Sequence, residues 1–175
     1  IHLERPDNVL FVMVSYLPIP GTVGEMKTKP TQNAVRLLNS YGVQPDIIIA
    51  RSVVPLDHKR KEKLATSCNV QADHIISAPD VDSIYDVPIN FERDHLSDIL
   101  LKALGKRPRG ESDLKDWKEF AEHAHNGKAT VTIGIVGKYF DTGDFVLSDA
   151  YLSVIEAIKF SCYALEVKPS IAWIN

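Results

Sequence analysis

Cysteine is scarce in this chain. Its 175 residues hold two, Cys68 and Cys162, too few for a disulfide framework and without the spacing of a metal-binding pair. A reducing, cytoplasmic setting is expected. No apolar run approaches the roughly 20 residues that span a bilayer, so no membrane partner is expected. A cationic excess is missing too: 20 Lys+Arg stand against 23 Asp+Glu, a net charge of −3. That balance excludes a general nucleic-acid binder but leaves room for local basic clusters that grip phosphates. There is no internal repeat and no low-complexity segment. No signal peptide is read either, because acidic Glu4 and Asp7 precede the first apolar stretch. What remains is 45% hydrophobic and 25% charged, the composition of a globular protein of one domain, or of one domain and part of another. Ile at position 1 and a strand-like run at 171–175 with nothing after it are read as ends cut from something longer.

The apolar pattern alternates between strand and helix. Residues 9–16 form an apolar run bounded by Asp7-Asn8 and by Pro18 and Pro20, and read as a buried strand. A loop over 21–30 leads to a helix that starts at Pro30, a favoured first-turn residue, and ends before Gly42. Residues 46–51 read as a short buried strand, 57–67 as a polar helix and 74–77 as another strand. A helix from Phe91, capped by Asn90, stops at Gly105. Residues 106–112 (KRPRGES) are the expected domain boundary, with Ser112 capping a helix over 113–125. A strand over 130–136 precedes a long helix over 149–165, whose Val154, Ile158, Cys162 and Leu165 form an apolar stripe. Strand, loop, helix, strand is the opening of a parallel α/β sheet.

The chemistry centres on Gly24-Glu25-Met26-Lys27-Thr28-Lys29-Pro30-Thr31-Gln32. Two ammonium groups, two hydroxyls and a helix N-terminus with free N–H groups suit a nucleoside triphosphate. The Gln32 amide both donates and accepts, which suits a base edge or ribose. The same residues also describe a solvated lysine loop before an ordinary helix.

GEMKTKPTQ resembles the GE-x-KTKPTQ motif of the CTP synthases, glutamine-dependent ligases that convert UTP to CTP. The resemblance continues through Tyr41-Gly42-Val43-Gln44-Pro45-Asp46, the Arg51-Ser52 strand end, Cys68-Asn69-Val70 and Asp80-Val81-Asp82-Ser83-Ile84-Tyr85. It runs on over 133–139 and 149–157, which look like the start of the family's glutaminase domain. The resemblance implies an α/β fold: residues 1–105 as the C-terminal part of a P-loop-like parallel-sheet synthetase (amidoligase) domain, 106–128 as an interdomain linker with a helix, and 129–175 as the opening β-α-β of a class I glutamine amidotransferase-like domain. It implies that Lys27, Thr28, Lys29, Pro30, Thr31, Gln32 and Lys63 bind UTP, and CTP as feedback inhibitor, and that Arg51, Pro79, Asp80 and Val81 line the ATP. Many bacterial members carry lysine in place of Pro79; a contact through the backbone carbonyl survives that change, and one through a side chain or an N–H does not. ATP, Mg2+ and a homotetramer are implied for the whole enzyme, with glutamine bound outside this stretch. No catalytic residue and no metal ligand is assigned here, and the isolated chain is expected to make no CTP. The competing reading is a nucleotide-binding regulatory or assembly module without catalysis.

The remaining features carry less. Gly21-Thr22-Val23-Gly24-Glu25 mimics an upstream GTVGD motif of the family but abuts KTKPTQ, so Glu25 is not assigned to magnesium. Residues 134–138 lack the G-x-x-x-x-G-K-[ST] spacing and read as a strand end. His123 and His125, two apart on a helix, face different ways. Asp80 and Asp82 read as turn-capping residues, Cys162 as core, and Tyr139 and Tyr151 as packing residues. The loop over 140–147 is longer than in many relatives and is given no role.

Overall fold

The computed structural model describes residues 1–21, 24–110, 114–138 and 151–174. They fall into two compact units, Ile1–Ser112 and Asp113–Asn175.

The first unit is a three-stranded parallel sheet, β1 (Val12–Tyr16), β2 (Ile47–Ser52) and β3 (Ile75–Pro79), in that spatial order. Val12 lies beside Ile47, and Ile48 beside Ile75. Alternate residues of a strand face opposite sides, and both sides of β2 are apolar. One side, with Met13, Ile48, Ala50 and Ile75, is covered by Val35 of α1 (Lys29–Ser40) and by Leu64 and Cys68 of α2 (His58–Cys68). The other side, with Ile47, Ile49 and Ile76, is covered by Phe91 of α3 (Val87–Arg93) and by Leu96, Ile99 and Leu100 of α4 (Leu96–Ala103). A strand buried on both faces needs a near-continuous hydrophobic run, and Ile47-Ile48-Ile49-Ala50 is one, whereas β1 is not the buried strand expected: it leaves Val12, Val14 and Tyr16 exposed on one side.

The first strand is shorter than the apolar run suggests. Phe11 ends it at one side, because its N–H donates to the Asp46 carboxylate at 2.7 Å and its carbonyl accepts from the Asp46 N–H at 2.8 Å. The single helix expected from Phe91 to Gly105 is two helices. Asn90 is not a cap but lies inside α3, whose start is set by the proline at its first turn. The break follows from Asp94. Its carboxylate accepts from the Ser77 N–H at 2.6 Å and from the Lys61 ammonium at 2.7 Å, and His95 turns left-handed beside it (φ 55°). A local propensity for one helix yields here to a tether between α3, β3 and α2.

The second unit holds α5 (Lys115–Asn126), β4 (Ala129–Val136), α6 (Leu152–Ala164) and β5 (Val167–Ile174). The C-terminal run has a partner after all: β5 pairs in parallel with β4, from Ala129 beside Val167 to Val136 beside Ile174. A parallel pair needs a crossover, and α6 lies in it. α5 packs on α6, with the Phe120 and Phe160 rings 4.7 Å apart. On α6, Ile155 and Cys162 are buried, whereas Val154 and Leu165, assigned above to the apolar stripe, are exposed. These last two line an open hollow of about 640 Å³ with Val131 and Ile133. The Ser112 cap, Tyr139, the loop over 140–147 and the start of the long helix at Asp149 lie outside the described residues.

Residues 105–110, shortly before the two units divide, are exposed throughout. Brief trypsin treatment is expected to cut first after Lys106 or Arg109, since exposed polar connections are nicked before packed elements. Intact-mass analysis of the first fragments checks this. A first cut within β1 or β2 would overturn the division.

Candidate functional site

In open α/β sheets, ligands collect beyond the carboxyl ends of the strands. In the first unit the loop after β1, the end of β2 and the turn after β3 carry Glu25, Lys27, Arg51 and Asp80 there. The chain leaves β1 at Tyr16, and the Leu17 N–H donates to the Arg51 carbonyl at 2.7 Å. The loop then folds back on itself: the Gly24 N–H donates to the Pro20 carbonyl at 2.9 Å and the Lys27 N–H to the Pro18 carbonyl at 2.9 Å. Gly24 makes the turn with φ +63°, a conformation that other residues adopt only under strain. Met26 is buried in the core between two exposed or half-exposed neighbours and pins the loop. Its burial turns Glu25 and Lys27 toward solvent.

The six residues 27–32 divide into two groups. Lys27 and Lys29 reach solvent, and Pro30 is exposed in the first helical turn. Thr28, Thr31 and Gln32 are buried. Thr31 is fully enclosed, and its hydroxyl is 2.8 Å from that of Ser15 on β1. The Gln32 amide donates to the Thr28 hydroxyl at 3.1 Å, and its N–H to the Thr28 carbonyl at 3.1 Å. In this arrangement Thr31 fastens the helix start to β1, and Gln32 bonds back to Thr28 within the first turn of the helix. Their polar atoms follow the usual rule that buried polar groups are paired.

Lys63 projects from α2, where it is exposed. The cap of this helix is Asp57, whose carboxylate accepts from the Arg60 N–H at 2.7 Å. The structure also brings in Arg60, which the sequence reading passed over. Its guanidinium lies 3.9 Å from one oxygen of Glu25, while the Lys27 ammonium lies 2.9 Å from the other. Lys27 above all, with Arg60 and Lys63 adding to it, holds the Glu25 carboxyl below the usual carboxylate range. Arg60 and Lys63 are three apart on one helix, hence on one face; that spacing was the available signal. Arg60 also pairs with Asp57.

The second group of candidates lies at the ends of β2 and β3. Arg51 stands beside Ala78 and Ser52 beside Pro79 in the ladder. The Arg51 guanidinium is 3.3 Å from the Asp80 carboxylate, and the Asp80 N–H donates to the Ser52 carbonyl at 2.9 Å. Asp80 is thus an ion-pair partner and not a turn cap; Ser83 caps the following turn by accepting from the Tyr85 N–H. Val81 is half-buried and Asp82 exposed.

In the second unit, residues 134–138 are a strand end and a turn. The Tyr151 hydroxyl donates to the Lys138 carbonyl and accepts from its N–H, both at 2.8 Å. Among the described residues no group of three or more His, Cys, Asp or Glu side chains lies close enough to hold a metal ion. The described site has exposed cations that can meet a polyanion.

Residues 2–106 match the family model described as CTP synthase N-terminus. The chain belongs to the CTP synthase family. It is 42% identical over 169 residues to a CTP synthase of Caldanaerobacter subterraneus, an alignment that covers 97% of this chain and 30% of that relative. It is 44% identical over 169 residues to the CTP synthase of Carboxydothermus hydrogenoformans, again over 97% of this chain and 30% of the relative. With the CTP synthase of Thermococcus gammatolerans the identity is 44% over 172 residues, 98% of this chain and 31% of the other. The chain thus spans just under a third of the length of these CTP synthases. What the family model matches is the N-terminal region, and the match stops at Lys106, inside the first unit, which ends at Ser112. The alignments with the CTP synthases themselves continue past it, since they cover nearly the whole chain.

Proposed function

We propose that this chain is a nucleotide-binding stretch of a glutamine-dependent CTP synthase, which converts UTP to CTP with ATP and ammonia drawn from glutamine. The observation that carries this is the set of cations at the carboxyl ends of the strands, Lys27, Lys29 and Lys63, set in the KTKPTQ loop and on α2. Lys27, Thr28, Lys29, Pro30, Thr31, Gln32 and Lys63 form the site for UTP and CTP, whose shared triphosphate meets the lysines that reach solvent. Arg51, with Pro79, Asp80 and Val81, receives ATP. The Arg51 guanidinium supplies donors there, and the carbonyls and the Asp80 carboxylate supply acceptors. Pro79 has no N–H, so only its carbonyl is available to an adenine.

Residues 1–105 are the C-terminal part of the synthetase domain, 106–128 the linker with its helix, and 129–175 the opening of a class I glutaminase domain. Two features support the last assignment: the parallel β4-α6-β5 arrangement and the continuation of the CTP synthase alignments beyond Lys106. The complete enzyme is a cytoplasmic homotetramer that uses Mg2+, whose ligands are not assigned to this stretch. Taken alone, the chain binds nucleotide without catalysis.

The test is made in the full-length enzyme that contains this stretch. Lys63→Ala is expected to raise the KM for UTP and the CTP concentration for half-inhibition by the same factor, about three- to tenfold, since one exposed charge is lost from one shared site. Raised KM with unchanged CTP inhibition would overturn the shared triphosphate site.

A further inference from the structure

Glu25 places a negative charge between Lys27, one of the cations assigned to the triphosphate, and Arg60. One of its oxygens is 2.9 Å from the Lys27 ammonium and the other 3.9 Å from the Arg60 guanidinium. The carboxylate is exposed, with 58% of its side chain accessible, and no backbone group holds it among the described contacts. Its neighbour Met26 is buried, so the loop presents the carboxylate at a fixed place. Arg60 is itself anchored: its N–H and guanidinium both meet Asp57, the cap of α2. A second carboxylate therefore remains on Arg60 when Glu25 lets go.

We propose that Glu25 is an internal occupant of the nucleotide site: it holds Lys27 and Arg60 while the site is empty, a phosphate group of the nucleotide displaces it, and Arg60 then binds that phosphate. The inference rests on the reading of Lys27 and Lys63 as triphosphate ligands and adds Arg60 and Glu25 to them. The physical reason is competition. A carboxylate and a phosphate oxygen ask for the same donors, and the carboxylate must leave before the phosphate can be held at hydrogen-bond distance. Once displaced it is still tethered close by, and it repels the bound anion. Both effects lower affinity, and both vanish when the charge is removed. Arg60 has a planar fork of donors, so it gains from a phosphate more than from the single long contact it makes with Glu25.

The test uses the full-length enzyme and measures UTP binding by equilibrium dialysis without ATP, in the wild type and in Glu25→Gln, Arg60→Gln and Lys27→Ala. Glu25→Gln keeps the shape and removes the charge. It is expected to tighten UTP about three- to tenfold, the scale of two exposed ion pairs. Arg60→Gln is expected to weaken UTP by a similar factor, and the gain from Glu25→Gln should be smaller when Arg60 is absent. Thermal melting of each variant checks that the fold is kept. If Lys27→Ala weakens binding but Glu25→Gln leaves it unchanged or weakens it, Glu25 orients Lys27 and the inference is overturned while the site stands. If neither Lys27→Ala nor Arg60→Gln changes UTP binding, the site reading itself falls, and this inference with it.

Discussion

Leu64→Ala is expected to destabilise the first unit by about 2–5 kcal/mol, the usual cost of removing a fully enclosed aliphatic side chain and leaving a cavity. Leu64 is 0% exposed and packs with Val35, Ile48, Ala50, Leu56, Cys68 and Ile75. Few apolar side chains dock α2: Leu64 and Cys68 are its buried residues, and its other side chains include Lys59, Arg60, Lys61, Glu62 and Lys63. The unit's stability is on the order of 5–15 kcal/mol, so the loss takes a large share of it. Urea unfolding followed by far-ultraviolet circular dichroism checks the value. A loss below about 1 kcal/mol would mean that α2 is not docked through this residue. The same substitution should also weaken nucleotide binding, because Arg60 and Lys63 ride on the helix that Leu64 seats.

Lys27→Ala is the second large effect. A hydrogen bond between charged groups contributes roughly 1.5–3 kcal/mol, and the partial exposure of Lys27, with 40% of its side chain accessible, puts the expected loss near the lower end. In the full-length enzyme this corresponds to about a tenfold weaker affinity for UTP. CTP should weaken by the same factor, since the two ligands differ at the base and not at the phosphates. The salt dependence of binding should become shallower as well, because one cation fewer meets the polyanion. Titration of both nucleotides at two ionic strengths checks all three. Unchanged affinity for both would remove Lys27 from the site.

Much of the resemblance that the sequence carries turns out to be the grammar of the fold. Gln44 donates through its amide to the carbonyls of Cys68 and Asn69, at 3.1 and 3.3 Å, and so ties the end of α2 to the entry of β2. Asn69 makes the left-handed turn that ends α2, with φ 53°. Asp46 fixes the start of β1 through the Phe11 N–H and accepts from the ring of His74 through its own carbonyl, at 2.9 Å. Gln44, Asp46 and Asn69 lie in stretches that mark the family; in this structure the side chains of Gln44 and Asp46 bind backbone, and Asn69 supplies a turn. Their side chains are polar, which in a sequence reads equally as a ligand contact or a backbone contact.

The succession of strands and helices was legible in the chain, apart from the break between α3 and α4. Helical and strand periodicities are local, so the three strands, the polar α2 and the helix opening at KTKPTQ were readable from the chain. Tertiary structure decided what depends on meeting residues distant in the chain. Asp94 breaks a helix because Ser77 and Lys61 come to it from β3 and α2. Thr31 is turned inward because Ser15 waits on β1. Glu25 and Arg60, separated by more than thirty residues, share one cluster because the β1 loop and α2 both open on the same end of a parallel sheet. Periodicity specifies which face of an element is apolar, but only packing fixes which charges that face's opposite side will meet.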